Sequence, residues 1–232
     1  MAFSSLPRSL ALIPDGNRRW AKAHGLSIMQ GYELGVERFL DFSRWCKDYG
    51  IKNVTVWALS TENIRRSPSE VKVLFNIYRK AVKDRKLLKR LQNDGVRLNI
   101  ISNKKFIPKD LALAFDDLQE KTKNNKKGVL NILVGYGGKD DLVHAMKEAI
   151  GLARKGVEID ADAFARCLLS NQVPEIDFII RTSGEKRLSG LMPWQTSYSE
   201  LYFCKKLWPD FGRQDLHAAL SEYGNRNRRF GK

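Results

Sequence analysis

Short apolar runs alternate with helical patterns along this chain, and nothing else in the sequence restricts the fold as much. Residues 10–13, 54–59, 96–101, 129–134, 176–180 and 201–203 have the length of strands, and most are rich in Val, Ile or aromatic side chains. Between them apolar residues recur at helical spacing. One stripe runs through Leu34, Val36, Phe39, Leu40, Trp45, Cys46 and Tyr49 and stops at Gly50. A second begins at Ser67-Pro68, where a capping hydroxyl precedes a first-position proline and Glu70. It carries Val71, Leu74, Phe75, Tyr78 and Val82 and is predicted to run on to Leu91 and stop at Gly95. Pro108 opens a third helix, and 140–153, 161–169 and 216–223 read as further helices. The alternation predicts an α/β fold of one domain over residues 1–232: a mainly parallel six-stranded sheet flanked by helices on both faces. No internal repeat or low-complexity linker divides it. In such sheets ligands bind at the carboxyl ends of the strands.

The first of those ends is Ile13-Pro14-Asp15-Gly16-Asn17-Arg18-Arg19-Trp20. Pro14 cannot continue a central strand, Asp15-Gly16-Asn17 is turn chemistry, and a helix can start after it. A strand that breaks through a glycine turn into a helix start offers backbone N–H groups to an anion, and Arg18 and Arg19 add charge. Asp15 is the odd member, since a carboxylate beside an anion site makes sense when a cation such as Mg²⁺ lies between them. The second end delivers Ser60-Thr61-Glu62-Asn63, and the fourth runs into Gly135-Tyr136-Gly137-Gly138, which suits either a phosphate cradle or a tight turn.

The fifth end opens Arg181-Thr182-Ser183-Gly184-Glu185-Lys186-Arg187-Leu188-Ser189, a second phosphate site in the making, because guanidinium groups grip phosphate oxygens in pairs. Glu200 follows, placed to complement Asp15 at a metal or to neutralise the arginines. The net charge of +15 calls for a polyanionic partner: nucleic acid, an anionic membrane surface or phosphorylated small molecules. No nucleic-acid module is recognisable, and the basic residues fall in phosphate-pocket contexts, so nucleic acid is not the expected partner. No apolar run reaches the length of a bilayer span, no secretory signal is evident, and three scattered cysteines predict reduced thiols and a cytoplasmic setting.

Taken in order, these segments resemble the cis-prenyltransferases, the family of undecaprenyl diphosphate synthase. The resemblance runs from about Leu10 to the end of the chain. It rests on Asp15-Gly16-Asn17 with Arg19-Trp20-Ala21-Lys22, Ser60-Thr61-Glu62-Asn63, Asn131 with Tyr136-Gly137-Gly138, and Arg181 to Glu185 with Arg187 and Ser189. Trp194-Gln195, Tyr198, Glu200-Leu201-Tyr202-Phe203, Trp208-Pro209-Asp210-Phe211 and the closing Arg229-Phe230-Gly231 add to it. It implies a Mg²⁺-dependent transfer of an allylic prenyl diphosphate to isopentenyl diphosphate. Asp15 and Glu200 would hold the metal. Gly16, Asn17 and Arg19 would hold the allylic diphosphate, Arg18, Trp20, Ile28, Tyr32, Ile64 and Arg66 would also bind substrate, and Ser60 and Asn63 would line the reacting centre. Arg181, Arg187 and Ser189 would hold the isopentenyl diphosphate. Arg229 and Gly231 would complete the site of a second copy, which implies a homodimer. A hydrocarbon tunnel would run beneath the sheet beside the helix from Val71 to Val82. Its lipidic product is compatible with peripheral membrane contact.

Three positions depart from the family pattern. Where the family usually has an arginine and then a histidine in a Gly-His context, this chain has Ile28 and Tyr32, and the residue after Asn63 is Ile64 in place of an aromatic. The first two changes remove a cation and a titratable group and are expected to open the mouth to apolar contact. The chemistry could then be the ordinary one, or the acceptor could be an alcohol or a second allylic diphosphate. A non-catalytic subunit would be expected to lose Asp15 and the isopentenyl-side arginines, and both are present.

Overall fold

The computed structural model describes residue 3 and residues 5–226. Its sheet is six-stranded, in the order β3-β4-β2-β1-β5-β6. The strands are β1 (Ser9–Ile13), β2 (Asn53–Ser60), β3 (Val96–Ile101), β4 (Gly128–Tyr136), β5 (Phe178–Arg181) and β6 (Glu200–Phe203). Every pairing is parallel. The helices are α1 (Asn17–Ala23), α2 (Ile28–Asp48), α3 (Pro68–Lys83), α4 (Arg85–Asp94), α5 (Lys109–Thr122), α6 (Gly138–Ala153), α7 (Ala161–Arg166) and α8 (Arg213–Gly224).

Alternation along the strands sorts the core into two faces. Leu10, Leu12, Val54, Val56, Phe178 and Ile180 join one apolar cluster with residues of α2, α4 and α8. Ala11, Ile13, Trp57, Leu133 and Ile179 join another on the opposite face. The chain leaves β1 toward β2 on one side and places β5 on the other, so the connectivity reverses between β1 and β5. In open parallel sheets that reversal is where the strand ends leave a crevice.

The elements differ from the pattern reading at three places. The predicted single helix from Pro68 to Gly95 is two, because Asp84 is extended (φ −74°, ψ 103°) and its carboxylate accepts from the Lys86 amide to start α4. α2 begins at Ile28, before the apolar stripe, since Ser27 and Gln30 form a reciprocal capping box. β5 begins at Phe178 and not at Ile176, whose amide bonds to the Gln195 carbonyl.

Candidate active site

Asp15 leaves the end of β1 and Arg181 ends β5, so the topological reversal brings together residues 166 apart in sequence. Gly16 makes the turn between Asp15 and α1 at φ +109°, where a Cβ would stand 2.8 Å from Leu207. Only glycine suits both the conformation and the space. Thr182, fully buried, locks the turn: its Oγ1 accepts from the Asp15 amide at 2.8 Å and donates to the Asp15 carbonyl at 2.7 Å.

The charged groups here hold one another. Arg181 Nη2 donates to Asp15 Oδ2 at 2.9 Å, while Nη1 donates to Ser189 Oγ at 2.9 Å and to the Arg187 carbonyl. The side chain is 5% exposed, and its Nε is buried with no hydrogen-bond partner among the described residues. Arg19 lies 3.6 Å from Asp15 and donates to Ser183 Oγ at 2.7 Å. Glu185 pairs with both Arg19 and Arg187. Burial pulls the Asp15 carboxyl upward, but the Arg181 hydrogen bond and charge, with Arg19, outweigh it and hold it below its ordinary value. Ser183 (φ 76°) and Ser189 (φ 54°) sit in the left-handed region, strain of the kind that a site retains when its surroundings over-determine it.

A second group closes the other side. Ser60 Oγ accepts from the Asn63 amide at 3.1 Å, which fixes the turn after β2. Arg66 donates to the Tyr32 hydroxyl at 2.7 Å and to Glu70 at 2.9 Å, and Tyr32 donates to Glu70 at 2.8 Å. Arg18 reaches the other Glu70 oxygen at 3.3 Å. Tyr32 therefore puts its hydroxyl into an ionic cluster while its ring packs against the apolar cluster of Leu59 and Leu74.

These groups enclose a cleft of about 570 Å³. Asp15, Gly16, Asn17, Arg18 and Arg19 line it from the first turn, Tyr32 from α2, and Ser60, Asn63 and Arg66 from the second. Arg181, Arg187 and Ser189 line it from the end of β5. Beside it is a cavity of about 650 Å³, bounded by apolar residues of the sheet and of α2 to α5, such as Phe39, Ile77, Leu87, Phe115 and Ile132. Pro14, Asn17, Tyr32, Ala58 and Leu74 border both spaces. The expected tunnel beside the 71–82 helix thus corresponds to a cavity that begins at the cleft and reaches Leu91 and Leu98.

Residues 13–231 match the family model described as putative undecaprenyl diphosphate synthase. The chain belongs to the undecaprenyl diphosphate synthase family. It is therefore a prenyltransferase, an enzyme that moves prenyl groups. An isoprenyl transferase of Thermus thermophilus is 41% identical to it, over 98% of this chain and 89% of the relative. A tritrans,polycis-undecaprenyl-diphosphate synthase (geranylgeranyl-diphosphate specific) of Thermoplasma acidophilum is 37% identical, over 97% and 89%. Among solved structures, lavandulyl diphosphate synthase from Lavandula x intermedia, in complex with dimethylallyl diphosphate, superposes with a TM-score of 0.92 at 35% identity, covering 98% of this chain and 99% of that one.

In this family member four expected site residues lie elsewhere. Trp20 stacks on His24 with ring centroids 4.0 Å apart and donates to Asp210 at 2.7 Å, away from the cleft. Ile28 is 44% exposed at the start of α2, and Ile64 packs against the apolar cluster of Leu59, Leu74 and Phe115. Glu200 is not brought to Asp15 within the chain. It opens β6 opposite Phe178, and Phe178 pairs with Leu10, so it stands at the amino end of the sheet, paired with Arg226 at 2.7 Å. Among the described residues no group of three or more His, Cys, Asp or Glu forms a metal cage. Gly138 donates its amide to the Gly190 carbonyl, and a Cβ there would come within 2.2 Å of that oxygen, so this glycine serves a close packing contact. Arg229 and Gly231 lie outside the described residues. Thr182, Ser183 and Glu70 belong to the site although sequence reading did not single them out. Thr182 and Ser183 fall inside the quoted motif, whereas Glu70 reads only as a helix-capping residue.

Proposed function

We propose that this enzyme joins the prenyl chain of an allylic diphosphate to isopentenyl diphosphate in a cis condensation, releasing diphosphate, and repeats the addition. The observation that carries this reading is the continuity of a cleft lined with arginines and hydroxyls into a 650 Å³ apolar cavity. A growing chain buried there gains roughly 0.8 kcal/mol per methylene. The names of the curated relatives support isopentenyl diphosphate as acceptor over an alcohol or a second allylic diphosphate, and the Arg181, Arg187 and Ser189 corner suits its diphosphate.

The allylic carbon–oxygen bond breaks, a new carbon–carbon bond forms from the isopentenyl double bond, and one proton leaves. The chain's own part is positioning and charge. Arg19, held by Ser183, and the buried Arg181 are fixed donors placed before charge develops on the departing oxygens. Mg²⁺ is usually bound by one or two carboxylates together with substrate phosphates. Asp15, an ionised carboxylate between two arginines, fits that pattern and is the residue that would hold it. When bound, the ion would offset the charge of the leaving diphosphate. The chain acts as a homodimer in this reading. Val143, Met146 and Ile150 are each nearly half exposed along one face of α6 and suit a second copy, while Arg229 and Gly231 rest on the family resemblance alone. A cytoplasmic enzyme with a lipidic product suits peripheral membrane contact, and no helix among the described residues is long and apolar enough to cross a membrane.

The test supplies the purified chain with Mg²⁺, allylic donors of several lengths and isopentenyl diphosphate, with products read by mass spectrometry beside Asp15→Ala. Successive additions of one isoprene unit, lost in Asp15→Ala, are expected. Joined products only with another acceptor would overturn the reading.

A further inference from the structure

We propose that Tyr32, at the neck between cleft and cavity, is a positioning residue: its hydroxyl sets the Arg66 guanidinium on the cleft side, ready for the allylic diphosphate. The proposal rests on the reading of the cleft given above. Tyr32 is one of the few side chains that border both spaces. It belongs to α2, whereas Arg66 precedes α3 and Glu70 lies in the first turn of α3. Three groups from two segments close a triangle, with Arg66 to Tyr32 at 2.7 Å, Tyr32 to Glu70 at 2.8 Å and Arg66 to Glu70 at 2.9 Å.

The chemistry requires a hydroxyl. The group must accept from a guanidinium and donate to a carboxylate at once, which a phenol does and a phenyl ring cannot. Burial, with the hydrogen bond and charge of Glu70, pushes the Tyr32 phenol up to about 12, so it stays a donor at any working pH. Glu70 is 8% exposed and its second oxygen takes Arg18, so its carboxylate is shared between two cations. The hydroxyl adds the contact that fixes which way Arg66 points. Arg66 is 27% exposed, against 52% for the less tethered Arg18. A long side chain fixed before binding does not lose its rotamer freedom on binding. The phosphate end of the donor and the start of its prenyl chain meet at this neck, so a misdirected Arg66 weakens the donor and leaves the acceptor corner near Arg187 and Ser189 untouched.

The experiment measures binding of a non-ionising thio analogue of an allylic diphosphate by calorimetry, and steady-state constants for both substrates. It uses the wild type, Tyr32→Phe, Arg66→Gln and the double variant. Tyr32→Phe is expected to weaken the analogue, and to raise the donor KM, about tenfold, the loss of one hydrogen bond to a charged group. The KM for isopentenyl diphosphate should stay within about twofold, a change too small to matter on the scale of that bond. In the Arg66→Gln background Tyr32→Phe should add nothing, because the two residues act as one unit. An equal loss in both backgrounds, an equal loss for both substrates, or no loss at all would overturn the proposal. A wild type that binds the analogue but forms no isoprene additions would overturn the condensation reading while leaving Tyr32 decided by the binding cycle. A wild type that does not bind the analogue would overturn both.

Discussion

The cleft and the cavity share a border and are built in opposite ways. In the cleft charges hold one another: Asp15 pairs with Arg181 and Arg19, Glu185 with Arg19 and Arg187, Glu70 with Arg66 and Arg18. In the cavity Ile77, Leu87, Leu98 and Ile132 face space that no side chain fills. Stabilising a leaving group needs dipoles fixed in advance. Housing a chain needs room, and room forgoes packing contacts that a filled core would have. One fold supports both because the strand ends carry the directed chemistry while one face of the sheet is left partly uncovered.

The largest effect should come from breaking the cleft. Arg181→Gln removes the guanidinium that joins Asp15 to Ser189. It is expected to lower kcat/KM for isopentenyl diphosphate by about 10²–10³-fold, the usual loss for one preorganised donor. Single-turnover assays with saturating allylic donor check it, and a loss under tenfold would mean that the guanidinium is incidental. A smaller effect separates the two kinds of wall. Neighbours on β4, Ile132 borders the cavity and Leu133 is fully buried on the other face of the sheet. Leu133→Ala should cost about 2–5 kcal/mol in urea unfolding. Ile132→Ala should cost at least about 1 kcal/mol less, since part of its surface already lacks partners. Equal costs would mean that the cavity is packed in solution.

The same contrast governs what the sequence makes legible. The cleft is readable because its chemistry lies at strand ends in quotable runs, and because strand–helix alternation already places those ends on one side. Asp15 and Arg181 needed only the adjacency of β1 and β5 to meet. The cavity is not readable in the same way, since Leu74, Tyr78 and Val82 give one stripe whether they face packed core or empty space. The break at Asp84 is hidden for a related reason: the helical pattern runs through it, and one extended residue resets the direction without a glycine or proline to mark it. Trp20 sits inside a motif, yet its partner Asp210 is 190 residues away. Glu70 looks like a helix cap, and only the packing of α2 against α3 makes it the hub of Tyr32, Arg66 and Arg18. Glu200 could have been placed correctly, because it stands at the start of its strand and ligands gather where strands end.

The smallest effect expected is a pH dependence confined to the cleft. The Asp15 carboxyl is held below its ordinary value of 3.8, so the folded pKa lies under the unfolded one. Its ionised form then adds stability that is fully present above the unfolded value and is lost as pH falls through the folded value. The stability difference between wild type and Asp15→Asn should therefore be flat above about pH 5 and shrink only below the ordinary carboxylate range near 4. Urea unfolding over a pH series measures it. Arg181→Gln takes away the hydrogen bond and the larger of the two nearby charges, which leaves burial as the strongest influence on the carboxyl. Burial disfavours the charged form and only Arg19 and Ser183 still oppose it, so in that background the Asp15 carboxyl should be held less far below its unfolded value. The slope of the same comparison should then flatten. A slope unchanged by Arg181→Gln would show that the pairing of Asp15 with Arg181 does not set its charge. The matching pair in the cavity, Ile132 and Ile132→Ala, should show no slope in either background, because the exchange neither removes nor adds a titratable group, and Glu37 and Lys80 of the same wall stand in both variants.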